Sequence, residues 1–199
     1  MPDRAPRPLP ALILAAGRGE RLRPLTDTCP KPLLQVRGRP LVEWHLLALA
    51  RADVREVVIN VAWLGEQLVH AVGDGERFGL RVRWSREDLD FGHALETAGG
   101  IARALPLLGC GPDDAFWLVS GDILAPDFPF DAERARHFAD DEQALDARLW
   151  VVENPPYHPR GDFGIDAAGR ALADGAGPDG QRYTYANLAL LRQIGRAHV

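Results

Sequence analysis

The sequence predicts an α/β domain: a mixed, mostly parallel sheet sandwiched by helices. Three observations carry that expectation. A short apolar run, Ala11-Leu-Ile-Leu14, breaks into a loop rich in glycine and arginine. Strand-type and helix-type segments then alternate, the pattern of parallel strands joined by crossover helices. A second apolar run, Ala115 to Val119, stops at Ser120-Gly-Asp122. In an open parallel sheet, ligands bind beyond the carboxyl ends of the strands, so both breaks mark one candidate site.

Element by element, Ala11 to Leu14 reads as a buried strand feeding a loop. Pro40 suits a first helical turn, and Val42, Leu46 and Leu49 recur at helical spacing up to about Ala52. Val57 to Val61 is β-branched and strand-like. Leu64, Leu68, Val69 and Val72 form a second amphipathic stripe that ends at Gly73-Asp-Gly75, after which Leu80, Val82 and Trp84 alternate as a strand. Ile101, Leu105 and Leu108 mark a helix opening near Thr97. Beyond Asp122 the pattern loosens: a helix over Ala132 to Phe138, a strand over Ala147 to Val152, a short hairpin at Phe163 to Ile165 with Gly169, and a strand over Tyr183 to Leu191.

Composition narrows the function classes. A chain of 199 residues suits one domain that buries roughly 70% of its unfolded surface. With 23 Lys and Arg against 28 Asp and Glu the net charge is −5, which argues against a nucleic-acid partner. Positive charge is local, at Arg18, Arg21 and Arg23. Cys29 and Cys110 lie far apart, offering neither a disulfide framework nor a metal cluster and fitting a reducing cytoplasm. Cys29 reads as a small loop residue. None of the histidines has metal-ligand spacing: His45 and His70 read as helix-surface residues, and His93 and His158 as loop residues without an obvious partner. Met1 to Pro10 reads as a flexible extension, and the apolar run after it is too short for a signal or a membrane span. A membrane partner is not expected, and no residue pattern sets an oligomeric state.

The loop itself points to phosphate. Gly17 and Gly19 let backbone N–H groups approach an anion, the arginines add fixed positive charge, and Lys31 stands between two prolines. A dinucleotide fingerprint needs a third glycine where Leu22 stands, and a P-loop needs Gly-Lys-Ser/Thr; neither is present. A lone Asp at a strand end is ordinarily a turn residue or a cap. Asp122 beside a phosphate loop can instead recruit Mg²⁺, which takes one or two carboxylates together with phosphate oxygens.

The longer string Leu14-Ala-Ala-Gly-x-Gly-x-Arg-Leu-x-Pro-Leu-Thr26, followed by Pro30-Lys-Pro-Leu33, resembles the signature of sugar-1-phosphate nucleotidylyltransferases. Within that family, the resemblance is strongest to the N-acetylmuramate α-1-phosphate uridylyltransferases of peptidoglycan recycling. Ile59-Asn-Val-Ala-Trp-Leu-Gly65, Gly73-Asp-Gly-x-Arg-Phe-Gly-Leu80, Leu95-Glu-Thr-Ala-Gly-Gly-Ile101, Asn154-Pro and Arg160-Gly-Asp-Phe163 carry it. It implies the Rossmann-like nucleotidyltransferase fold, also described as GT-A-like. It also implies that Leu14, Ala15, Ala16, Gly17, Gly19, Glu20, Arg21 and Lys31 bind the nucleoside triphosphate, with Arg21 and Lys31 catalytic. Glu96, Gly99 and Gly100 would line the nucleobase pocket, Asp122 would hold Mg²⁺, and Asn60, Asp162 and Asn187 would contact the sugar phosphate. On their own, Asn60 reads equally well as a strand-end turn and Asp162 as a hairpin residue.

Three departures from the family stand out. Relatives commonly carry Gly where Asn187 stands, an insertion over Glu87 to Gly92 precedes the base-binding stretch, and a late Trp-x-Asp-x-Gly-Thr motif that supplies a second metal carboxylate is absent. The string Ile194-Gly-Arg-Ala-His-Val199 is what a common sequencing-adaptor oligonucleotide encodes in frame. The expected domain therefore spans residues 11–192, ends short of the family's C-terminus, and is followed by a non-native tail over 193–199. The reaction implied is attack of a sugar-1-phosphate oxygen on the α-phosphorus of UTP, with pyrophosphate leaving. The alternatives are a mannose-1-phosphate guanylyltransferase or another hexose-1-phosphate enzyme and, in a different class, a non-catalytic subunit that binds nucleotide sugars.

Overall fold

Alternation of buried side chains along each strand decides how the domain is layered. The computed structural model describes residues 8–111, 114–140 and 145–193; the rest of the expected N-terminal extension, and the tail beyond Gln193, lie outside the described residues. The chain begins with β1 (Ala11–Leu14), the single turn α1 (Leu25–Thr28), the two-residue strands β2 (Gln35–Val36) and β3 (Arg39–Pro40), α2 (Leu41–Arg51), β4 (Glu56–Val61) and α3 (Gly65–Val72). It continues through β5 (Arg81–Arg86), α4 (Glu87–Phe91), α5 (Glu96–Leu108), β6 (Ala115–Ser120) and α6 (Ala132–Asp140). The last elements are β7 (Ala147–Val152), the hairpin β8 (Gly164–Ile165) and β9 (Ala171–Leu172), and β10 (Thr184–Arg192).

Six strands form one sheet in the order β5-β4-β1-β6-β10-β7. The four strands β5, β4, β1 and β6 are parallel, and β10 runs antiparallel between β6 and β7, which gives the expected mixed sheet. Successive residues of a strand point to opposite faces, so the neighbours Leu12 and Ile13 enter different cores. On one face Ile13, Ile59, Val119 and Leu190 pack against Val42, Leu46 and Leu49 of α2, Leu68 and Val72 of α3, and Phe138 of α6. On the other face Leu12, Val58, Phe116, Leu118 and Ala189 meet Ala104 and Leu108 of α5. Helices on both faces of a parallel sheet are what the near-continuous apolar strands require.

Several details depart from the sequence reading. Leu9 and Pro10 belong with the sheet rather than with a flexible extension: Leu9 packs on the first core, and the Pro10 carbonyl accepts the Trp117 N–H at 2.9 Å. The segment Glu87 to Gly92, expected as an insertion, forms α4, a single turn whose period is too short to read from sequence. In β10 the register shifts between Tyr185 and Ala189, and Asn187 takes the left-handed conformation at φ 59°. That explains the departure from glycine there, since asparagine is among the few other residues that tolerate positive φ.

Candidate active site

The parallel pairing of β1 with β6 sets Leu14 opposite Ser120, so the loops that leave both strands emerge side by side. The Gly121 N–H donates to the Leu14 carbonyl at 2.8 Å and fixes their separation. Between them opens a cleft of about 650 Å³. The structure brings Leu14, Ala15, Ala16, Gly17, Gly19, Glu20, Arg21, Lys31, Asn60, Glu96, Asp122 and Asn187 together on its walls. Arg18, Leu22, Pro32, Ala94, Thr97 and Ser120 complete the lining.

The two loop glycines sit in different surroundings. Gly19 has φ 69°, in the left-handed region, and a side chain on it would come within 3.0 Å of Thr26 Cγ2 and 3.3 Å of Lys31 Cβ. Gly17 has open space around it, so the protein's own packing does not demand a glycine there. The loop is held from behind. Thr26 Oγ1 donates to the Gly19 carbonyl at 2.9 Å, and the Trp63 indole donates to the Thr26 carbonyl at 2.8 Å. The Arg18 guanidinium lies 3.4 Å from the centre of the Trp63 ring and pairs with Asp27, which also pairs with Arg23. Arg18 and Arg23 therefore brace the loop rather than supply free charge. Arg21 has no ion pair among the described residues and lines the cleft.

Lys31 is fixed by Pro30 and Pro32 in a short turn, and its Nζ lies 2.7 Å from Asp122 Oδ2. The two side chains are 21% and 42% exposed, so the pair faces the opening rather than the core. Glu96 opens α5 at φ 59°, a costly conformation for a side chain of its size and of the kind concentrated at ligand sites. Ser120 Oγ donates to Asn187 Oδ1 at 3.4 Å across the floor.

Other residues expected at the site are engaged within the protein or lie off the cleft wall. Asn60 is 3% exposed at the base of the cleft, and both ends of its amide are already engaged: Oδ1 accepts the Ala15 N–H at 2.6 Å and Nδ2 donates to Glu87 Oε1 at 2.8 Å. It holds the loop from the base of the cleft. Gly100 is buried behind that pair, and neither it nor Gly99 reaches the cleft wall. Asp162 is a connector: Oδ2 accepts the Tyr185 N–H at 2.7 Å and Oδ1 contacts His158 Nε2 at 3.1 Å, which ties the loop before β8 to β10. His158 thus has a partner that the sequence did not suggest. A larger hollow of about 750 Å³, lined by Asn154, His158, Arg160 and Arg182 among others, shares no wall with the cleft and has no lysine or carboxylate in its lining. Burial pushes the Cys29 thiol up, and burial together with the Asp114 charge pushes Cys110 to about 11, which disfavours the thiolate at both.

His45 is fully buried, not on the helix surface. Its place in the stripe Val42, His45, Leu46, Leu49 was the available signal. Nε2 lies 2.9 Å from the Ile123 carbonyl and therefore carries the proton, anchoring the turn that presents Asp122. Desolvation lowers its pKa, opposed by the Ile123 hydrogen bond and the Asp122 charge. Below about 6.5, its ordinary value, the unfolded chain takes up a proton that the folded one resists. Stability from this residue is therefore complete above that pH and declines as pH falls toward the lowered folded value. His45→Leu is expected to melt lower at pH 8 but to lose part of the further decline between pH 7 and 5, read from thermal midpoints across that range.

Comparison with known proteins agrees with this geometry. Residues 10–172 match the nucleotidyl transferase family. The chain is 47% identical over 185 residues, 92% of its own length and 74% of the relative's, to the N-acetylmuramate alpha-1-phosphate uridylyltransferase of Neisseria meningitidis serogroup B. It is 34% identical over 175 residues, 84% of its length and 69% of the relative's, to the protein of the same name from Caulobacter vibrioides. Among solved structures, HddC from Yersinia pseudotuberculosis complexed with GMP-PN superposes with a TM-score of 0.71 at 20% identity, covering 93% of this chain and 77% of that one. At that identity the superposition speaks for the fold alone. With the glycine loop, Lys31 and Asp122 in one cleft and these matches across most of its length, the chain belongs to the nucleotidyl transferase family, as an enzyme of the sugar-1-phosphate nucleotidylyltransferase type.

Proposed function

We propose that this enzyme transfers a uridylyl group from UTP to N-acetylmuramic acid α-1-phosphate. An oxygen of the sugar phosphate attacks the α-phosphorus, the bond to the β-phosphate breaks, and pyrophosphate leaves. The observation that carries the reading is the pairing of Lys31 and Asp122 opposite the Gly17 to Arg21 loop. The choice of UTP and of this sugar rests on the two relatives named above.

No protein nucleophile is required, because the sugar phosphate is already an anion. Rate then comes from in-line positioning and from charge aimed at phosphate oxygens. Loop N–H groups at Gly17 and Gly19, with Arg21 and Lys31, would hold the triphosphate. Glu96 sits where the base would enter, and Asn187 where the sugar phosphate would lie. No group of three ligand-type side chains that could hold a metal occurs among the described residues, but Mg²⁺ needs only one or two carboxylates when phosphates supply the rest. Asp122, exposed in the cleft at the end of β6, fits that requirement. A divalent cation bound there would neutralise phosphate charge. A cytoplasmic place in the recovery of cell-wall sugars follows from the substrates proposed.

Pyrophosphate release from the four nucleoside triphosphates, each paired with a set of sugar 1-phosphates, tests the reading. UTP with N-acetylmuramic acid α-1-phosphate should be fastest. Preference for GTP with mannose 1-phosphate would overturn the substrate assignment. No turnover with any pair, alongside tight binding of a nucleotide sugar, would overturn catalysis itself. Asp122→Asn should raise the Mg²⁺ concentration needed for half-maximal rate, and superimposed titration curves would make Asp122 structural.

A further inference from the structure

Glu87 is completely buried at the start of α4, and the proposed chemistry makes no use of it. Burying a carboxylate is costly unless its oxygens are satisfied, so its partners are informative. Oε1 accepts from Asn60 Nδ2 at 2.8 Å, and Oε2 accepts the Leu95 N–H at 2.8 Å. Asn60 Oδ1 in turn accepts the Ala15 N–H at 2.6 Å. The result is one continuous chain of three hydrogen bonds. It runs from Ala15, where β1 enters the phosphate loop, to Leu95, which precedes α5 at the mouth of the cleft.

Polarity makes this chain specific. Both of its ends are backbone N–H groups, which only donate. An amide relays polarity, accepting at one end and donating at the other, so two amides in series would meet one terminal N–H donor to donor. One member, and only one, must therefore accept at both ends, and an ionised carboxylate is the side chain that does so. The Ala15 N–H also fixes the orientation of the Asn60 amide, because only oxygen can face it. Space for the chain is kept open by Gly100, where a Cβ would stand 2.6 Å from Asn60 Nδ2 and 2.9 Å from Glu87 Oε1.

We propose that Asn60 and Glu87 are positioning residues that couple the phosphate loop to the N-terminus of α5, setting the distance between the triphosphate and nucleobase subsites. This rests on the nucleotide site proposed above. Glu87 lies outside the cleft lining and the Asn60 amide is held by Ala15 and Glu87, so both act through Ala15 and Leu95. The coupling spans segments 80 residues apart in sequence, between Ala15 and Leu95.

The polarity rule supplies its own test. Glu87→Gln leaves one joint donor to donor, and Asn60→Asp sets two carboxylates against each other. The double exchange Asn60→Asp with Glu87→Gln restores every joint: the carboxylate now at position 60 accepts from the Ala15 N–H and from the amide now at position 87, whose oxygen accepts from the Leu95 N–H. Each single change is expected to raise KM for UTP about tenfold or more, since a reversed buried hydrogen bond displaces the groups it positions. The double exchange should return KM to within about threefold of wild type. Singles with wild-type KM and kcat but a lower melting temperature would show a merely structural pair and overturn the proposal, as would a double variant no better than the worse single. Gly100→Ala keeps every hydrogen-bonding group and presses on the joint, so it serves if a single change prevents folding; unchanged KM there counts against coupling. Amide exchange at Ala15 and Leu95, slow in wild type and in the double variant, reads the chain without turnover. Fast exchange at either amide in wild type would overturn the hydrogen-bond chain even if uridylyl transfer is confirmed, whereas slow exchange with no turnover would place the fault in the functional reading.

Discussion

Replacing Lys31 by alanine is expected to lower kcat/KM by about 10²- to 10³-fold, while the melting temperature stays nearly constant. The activity term follows from position. Pro30 and Pro32 confine the backbone, so the ammonium is aimed before substrate arrives and costs little to reorganise when charge develops on the phosphates. Removing one such oriented partner typically costs about 3–4 kcal/mol of transition-state stabilisation. The stability term follows from exposure. With side chains 21% and 42% exposed, the Lys31–Asp122 pair behaves as a surface salt bridge, worth no more than about 1 kcal/mol. Steady-state kinetics at saturating Mg²⁺, run beside thermal melts of the same preparations, separates the two. Unchanged kcat/KM would remove Lys31 from the mechanism, and a large drop in melting temperature would make it a structural residue.

Whatever depended on local order was legible in the sequence. Apolar runs marked β1, β4 and β6 to within about a residue, because burial on both faces leaves a continuous signal that short loops cannot blur, and the expected strand over Ala147 to Val152 coincides with β7 at the sheet edge. Asp122 could be placed at the cleft from its position at a strand end alone, since topology fixes where strand ends go. What the sequence concealed depends on partners far along the chain. The family resemblance pointed to Asn60 as a sugar-phosphate contact, and order along the chain could not show that its amide is engaged by Ala15 and Glu87. Asp162 shares a loop with residues that carry the family resemblance, but its carboxylate caps the backbone of β10. Arg18 and Arg23 count as loop charge when the residues are read in order, whereas both are paired with Asp27. Local pattern assigns a face, and only tertiary contact tells whether a polar group on that face is free.

The largest loss of stability is expected from Trp117→Ala. Trp117 sits in the middle of β6, 1% exposed, with Phe128 and Phe130 edge-on at 6.1 and 5.2 Å and Trp150 tilted at 5.3 Å. Truncating a buried aromatic of this kind leaves a cavity that strands and helices cannot collapse into, at a cost of about 3–5 kcal/mol. The lost edge-to-face pairs add to it. Against a total stability of about 5–15 kcal/mol, that should lower the melting temperature by roughly 6–20 °C. The cluster also spans the seam between parallel and antiparallel halves of the sheet, since it joins β6 to Trp150 of β7 across β10. The site should nevertheless survive in molecules that remain folded. Trp117 does not line the cleft, the turn carrying Asp122 is held independently by the Gly121 N–H on Leu14 and by His45 on the Ile123 carbonyl, and the phosphate loop is braced by Thr26 and Trp63. At 20 °C the KM for nucleotide should stay within a few-fold of wild type, although the denaturation midpoint falls sharply. A loss below about 1 kcal/mol would mean that the aromatic cluster is dispensable to the core. A large rise in KM in the fully folded variant would mean that the cleft takes its shape from the sheet interior rather than from the local braces behind its loops.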